Sequence, residues 1–174
     1  MQDSQRDWFD PRPARSSVEP ARRPASVQGR NLVFFDNGKL SPPYHRWMPI
    51  EAPIVSKLAS FGHVTRESAD LLMEPVSRYA GHIARWKTNA IDGVVFALCD
   101  AGVVQPTVLL AGAAEKAGIP TVVFCTDQVI ELAAVSASFL CPGLPIILLP
   151  ASRLATADDL AAAASRAAEE LEPA

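Results

Sequence analysis

Residues 92–127, DGVVFALCDAGVVQPTVLLAGAAEKAGIPTVVFCTD, decide the fold. The stretch 92–100 is apolar almost without interruption, which predicts a strand covered on both faces. Residues 105–118 follow with helical character; Pro106 is tolerated in a first turn and Gly118 stops the helix. The buried-strand pattern then returns over 119–127. Two such strands joined by a helix are a parallel pair with a crossover, and both faces of their sheet need helical cover.

The same alternation extends in both directions. NLVFFD (31–36) is a short apolar strand ending at the turn signal DNG. IEAPIVSKLASF (50–61) has helical spacing through Ile54, Val55, Leu58 and Phe61, and GHVTRE contains a short second strand. SADLLMEPVSRYAGHIARWKT (68–88) is helical in type, with Pro75 breaking or capping it. QVIELAAVSASFL (128–140) is the next helix and LPIILLP (144–150) the last strand. TADDLAAAASRAAEELE (156–172) closes the chain as a helix with Thr156 at its N-cap. Four or five strands in this order predict a doubly wound, mostly parallel α/β sheet of flavodoxin-like or Rossmann-like type.

Composition narrows the function. The chain has 174 residues, 49% of them hydrophobic, enough for one cored domain of 31–174. Residues 1–30 carry six arginines and four acids among Pro and Ser without apolar periodicity, so a disordered or loosely packed leader is expected. Its aromatic pair, Trp8 and Phe9, could anchor it to a partner; the plainer reading is a solvated leader. A net charge of −3 argues against a nucleic-acid partner, which needs a basic face. No apolar run approaches the roughly 18 residues that would span a bilayer, and the opening MQDSQRDWFDPRP does not read as a secretory signal. Three cysteines, Cys99, Cys125 and Cys141, at unhelpful spacing fit free thiols in a reducing cytoplasm.

Ligands of doubly wound sheets bind beyond the carboxyl ends of the strands. Topology thus selects Asp36, Asn37, Gly38 and Lys39 after the first strand, Asp100 to Gln105 after the third, and Cys125, Thr126 and Asp127 after the fourth. The phosphate-cradling glycine motifs and the nucleophile-elbow pattern are absent, and no Cys/His cluster has metal spacing, so neither cofactor nor metal is expected. The three histidines (His45, His63, His82) fall outside the expected strand ends.

Each selected residue has a plain reading beside a functional one. Asn37-Gly38 makes a tight turn, and Lys39 beside it could equally place a point charge on a carboxylate or phosphate. Asp100 either caps the helix starting near Gln105 or touches a ligand. Cys125 is either a small core residue or, with Thr126 and Asp127 beside it, the best placed of the three thiols. The turn between them, Ala101, Gly102, Val103 and Val104, holds nothing that reacts.

Four stretches, LVFFDNGK, DGVVFALCDAG, EKAGIPTVVFCTDQVIELA and GLPIILLP, resemble in order and spacing the UGSC-like family over about residues 31–172. The resemblance implies a third strand ending in Asp and then Cys-Gly-Ser-Cys, or selenocysteine in place of the first Cys. It also implies thiol-type or carbon–heteroatom chemistry on a small molecule. Anchored on Asp100 and Gly102, that tetrad falls on Ala101, Gly102, Val103 and Val104, so both sulfur positions are lost. A thiolate nucleophile or dithiol needs the sulfur itself.

Three expectations stand side by side. The chain is a non-catalytic or accessory subunit paired with a cysteine-bearing UGSC-like paralogue, its valines supplying exposed apolar surface to an interface or a ligand wall. Or it is a stand-alone enzyme using Lys39, Asp100 and Cys125 on a small molecule. Or it only binds a small ligand.

Overall fold

The computed structural model describes residues 20–37, 48–98, 101–149 and 155–173. Five strands, β1 (Asn31–Asp36), β2 (His63–Ser68), β3 (Gly93–Leu98), β4 (Thr121–Thr126) and β5 (Ile146–Leu149), pair in the order β2-β1-β3-β4-β5. Every pairing is parallel. Five helices alternate with them: α1 (Met48–Ala59), α2 (Tyr79–Thr88), α3 (Val104–Lys116), α4 (Ile130–Leu140) and α5 (Ala157–Glu170). This is a doubly wound α/β fold with the flavodoxin-like strand order.

The period-two geometry of a strand explains the two cores. Leu32 and Phe34 of β1, Val95 and Ala97 of β3, and Val122 and Phe124 of β4 pack on Ile54 and Leu58 of α1 and on the alanine face of α5. Val33, Phe35, Val94, Phe96, Val123 and Cys125 face the other way, onto α2, α3 and α4. A strand apolar on both sides is therefore apolar at every position, as the sequence of β3 and β4 is. Only the outer strand β2 is largely exposed, and its polar residues Thr65, Arg66 and Glu67 blunt that edge.

Turn chemistry sets the ends. Gly118, at φ +85°, lets α3 close in a Schellman motif: Gly118 N donates to Glu115 O at 2.9 Å and Ile119 N to Ala114 O at 3.0 Å. Thr156 caps α5, its hydroxyl accepting from Asp159 N at 3.1 Å while Asp159 returns a bond to Thr156 N. Pro75 ends the loop after β2 and precedes a 3₁₀ turn, Val76–Arg78, that leads into α2. The helix expected over 68–88 is confined to that second half.

Loose packing does not extend to residues 20–30. Val27 is buried in the α1/α5 core, and Ala21 and Arg23 bond to the buried carboxylate of Glu115. The cause is one acid inside α3 whose oxygens must be matched, and the leader supplies the matching donors. Residues 1–19 lie outside the described residues.

Candidate functional site

The topological switch of this sheet lies between β1 and β3, whose following segments leave on opposite faces. At the end of β1, Asp36 and Asn37 are both buried, at 2% and 0% exposure. Their carbonyls accept from Ala69 N (3.1 Å) and Leu71 N (3.3 Å), so the loop after β2 folds across the end of β1. Gly38, Lys39, Cys99 and Asp100 lie outside the described residues.

After β3 the chain makes a 3₁₀ turn, Ala101–Val103, and enters α3 at Val104 with Val103 at the N-cap and no side-chain cap bond. Gly102 is exposed, whereas Val103 and Val104 have no exposed surface at all. Val103 belongs to the α1/α5 core and Val104 to the core under α2, α3 and α4. The exposed apolar patch expected of these two valines is therefore absent. A tight turn that crosses the sheet end points successive side chains to opposite faces, and each valine plugs the top of one core. Apolar content at this turn serves packing.

On β4, Cys125 is fully buried and its Sγ lies 3.9 Å from Ile147 O. Burial pushes its thiol up to about 12, far from the range of a working thiolate. Cys141 is pushed up to about 11 by burial and then by the Glu115 carboxylate, against the opposing pull of Arg23. Thr126 is half-buried, and exposed Asp127 accepts from Gln128 N at 3.0 Å, ordinary turn chemistry. The structure thus brings Asp36, Asn37, Gly102 and the two valines to one end of the sheet. Cys125 sits beneath that surface.

Sequence reasoning missed three groups near this end. The hydroxyls of Tyr79, in the first turn of α2, and Thr107, in α3, are buried without a hydrogen-bond partner among the described residues. Burial, and then the nearby Glu74 carboxylate, raise the Tyr79 phenol above its ordinary value and keep it protonated. No spacing rule flags a hydroxyl whose importance lies in lacking a partner. The third is a chain of polar contacts along α2. His82 Nε2 meets Glu74 at 3.0 Å, Arg85 Nη2 donates to His82 Nδ1 at 2.8 Å, and Glu67 accepts from both Arg85 (2.6 Å) and Trp86 Nε1 (3.1 Å). Guanidinium only donates, so Nδ1 is the acceptor and Nε2 carries the hydrogen. Both ring nitrogens are used, and Phe35 packs on the ring edge-on at 5.4 Å. The histidine is a brace between α2 and its neighbours.

Among the described residues no group of three or more His, Cys, Asp or Glu is arranged to hold a metal ion. No helix among them is long and apolar enough to cross a membrane. A groove of about 370 Å³ lies at the opposite end of the sheet, between Arg22–Ala25 and the turns at Ile91–Asp92 and Gly118–Pro120. It is open and polar, and the Arg23 guanidinium on its wall is already bonded to Glu115.

No curated protein matches this chain. The UGSC family matches over residues 7–173, nearly the whole length, and the chain belongs to that family.

Proposed function

We propose that this chain is a non-catalytic or accessory subunit of a hetero-oligomeric enzyme of the UGSC family acting on a small molecule. The observation that carries the reading is the turn after β3. It offers no nucleophile, acid or base in Ala101, Gly102, Val103 or Val104, and its two valines are consumed by the two cores. A group that acts on substrate must reach it. The one thiol at a described strand end, Cys125, is sealed in the core as neutral SH, which disfavours a stand-alone reading built on that sulfur.

The partner is a paralogue that carries the cysteines of the Cys-Gly-Ser-Cys turn and performs thiol-type or carbon–heteroatom chemistry. Apolar side chains at the carboxyl end of the sheet support a partner seated there. Leu72, Met73 and Val76, in the segment that follows β2, are 56, 77 and 59% exposed. Clustered exposed apolar residues of this kind mark interfaces. Buried free thiols at Cys125 and Cys141 accord with a reducing, cytoplasmic setting.

The test is purification of the tagged full chain from its own host with mass spectrometry of what accompanies it. Stoichiometric recovery of a family member with an intact cysteine turn is the expected result. Recovery of the chain alone, as a monodisperse monomer or homodimer, overturns the subunit reading.

A further inference from the structure

The outermost strands differ in chemistry. On one side β2, HVTRES, is polar and charged, as edges that must not stick usually are. On the other side β5 reads IILL and holds nothing that would repel a further strand. Val123 N donates to Pro145 O at 2.9 Å, so the next residue, Ile146, and after it Leu148 turn their backbone groups away from β4. Leu148 O is met by Arg166 Nη2 at 3.4 Å, a long bond that a strand amide can replace.

Apolar side chains continue this edge onto the neighbouring helix. Ile147 and Leu149 point into the α1/α5 core, so Leu148 stands on the α4 side of the sheet, where it is 45% exposed. Helix α4 buries Ala133 and Ala137 and packs Ile130 and Leu140 against the same core, while Leu132, Val135 and Phe139 remain exposed. Cys141 marks the flank of α4 that meets α3, since a Cβ added at Gly112 would meet it at 3.0 Å. Leu132 lies about two and a half turns before Cys141, on the opposite flank, and Phe139 shares its row. These two side chains therefore overhang the open edge of β5.

We propose that β5 and the outer flank of α4 form the interface between two copies of this chain, related by a two-fold axis that pairs β5 antiparallel with its counterpart. Helix α4 packs on both β4 and β5 and so rides above the gap between them. With strands about 4.8 Å apart, pairing the two β5 strands sets the α4 axes roughly 10 Å from each other, the spacing at which helices pack. One operation thus satisfies the strand edge and the helix flank together, which a lone foreign strand or helix does not. Glu131, the only charge in α4, stands about one turn from the helix centre. The antiparallel copies therefore hold these carboxylates roughly 12 Å or more apart, beyond the screening length at physiological salt. The face offers roughly 500 Å² per copy and roughly 1,000 Å² in all, the size at which specific interfaces begin. Leu72, Met73 and Val76 follow β2 on the other side of the sheet, so this contact neither needs nor blocks a different partner there.

Sedimentation velocity of the full-length protein reads the assembly. At about 50 μM the wild type is expected at twice the 18.6 kDa of the chain. Leu148→Lys and, separately, Phe139→Glu are each expected to weaken the dimer about a hundredfold or more, because a two-fold places every substitution in the interface twice. Both side chains are exposed in the single chain, so the expected product is a folded monomer, checked by circular dichroism. Met73→Lys, on the other side of the sheet, is expected to leave the dimer intact. A wild type that stays monomeric overturns the proposal, and so does a dimer that survives both Leu148→Lys and Phe139→Glu. A dimer that Met73→Lys dissociates also overturns it, since the contact then lies beside β2.

Discussion

The two ends of the sheet are closed by different chemistry. At the amino end a single buried carboxylate, Glu115, accepts from Ala21 N at 2.6 Å, Arg23 Nη1 at 2.8 Å, Thr121 N at 2.6 Å and Thr121 Oγ1 at 2.9 Å. At the carboxyl end two valines fill the tops of the cores, while the buried Tyr79 and Thr107 hydroxyls bond no group among the described residues. Polar groups without partners are costly in a protein interior and fully matched ones are not. The amino end is therefore a fastening, saturated by its own chain. The carboxyl end carries hydroxyls, those of Tyr79 and Thr107, that the described residues do not match, at the place where folds of this type bind ligands.

The largest difference between the ends is expected from removing the fastening. Glu115→Ala leaves the Arg23 guanidinium, the Ala21 and Thr121 amides and the Thr121 hydroxyl without their acceptor. Stripping one partner from a buried charge pair costs about 3–5 kcal/mol, and urea unfolding reads the loss directly. A loss below about 1 kcal/mol would mean that the carboxylate is solvated and that residues 20–30 are held by other contacts.

The thiols test burial at the two ends separately, because Cys125 lies in β4 beneath the carboxyl end and Cys141 follows α4 near Glu115. Raising Cys125 from 9.0 to about 12 leaves about a thousandth of the ordinary thiolate at a given pH. Native protein at pH 8 is expected to resist iodoacetamide at both residues and to label fully in denaturant. The sign of the linked stability follows. The folded state keeps protons that the unfolded state has released, so stability is intact below pH 9.0 and falls as pH rises toward about 11 and 12. Rapid native labelling of Cys125 would return that sulfur to the candidate nucleophiles.

Much of this architecture was legible because each strand carries its own pattern. NLVFFD and the run over 92–100 admit no wet face, and Gly118, Pro106 and Thr156 punctuate the helices where a stop, a first turn and a cap are required. The site was legible only as a place. Strand ends could be located, but the burial of Val103 and Val104 depends on where two cores end, which a linear pattern does not encode. The anchoring of residues 20–30 was hidden for a similar reason. Its partner, Glu115, is far along the chain and looks like an ordinary charge on an exposed helix face. The unmatched hydroxyls of Tyr79 and Thr107 are invisible in principle, since a lack of partners is a property of the fold.

Exchanges at matched volume sharpen the contrast further. Val103→Thr places a hydroxyl where the turn is closed by hydrocarbon, and such a group without a partner costs about 1–3 kcal/mol. Thermal or urea unfolding gives the value. A neutral result would show that the turn admits water and is open to a ligand after all.

The smallest effect is the most discriminating, because its sign differs between the ends. Thr121→Val removes a hydroxyl that donates to Glu115 and is expected to destabilise by about 1.5 kcal/mol, the scale of a bond to a charged acceptor. Thr107→Val removes a hydroxyl that bonds no group among the described residues, so the same exchange is expected to stabilise by about 1 kcal/mol. Opposite signs in one denaturation series would confirm that the polar capacity at the carboxyl end is surplus to folding and kept for something else. If Thr107→Val instead destabilises in the isolated chain, its hydroxyl is matched by solvent, and the carboxyl end is as saturated as the amino one.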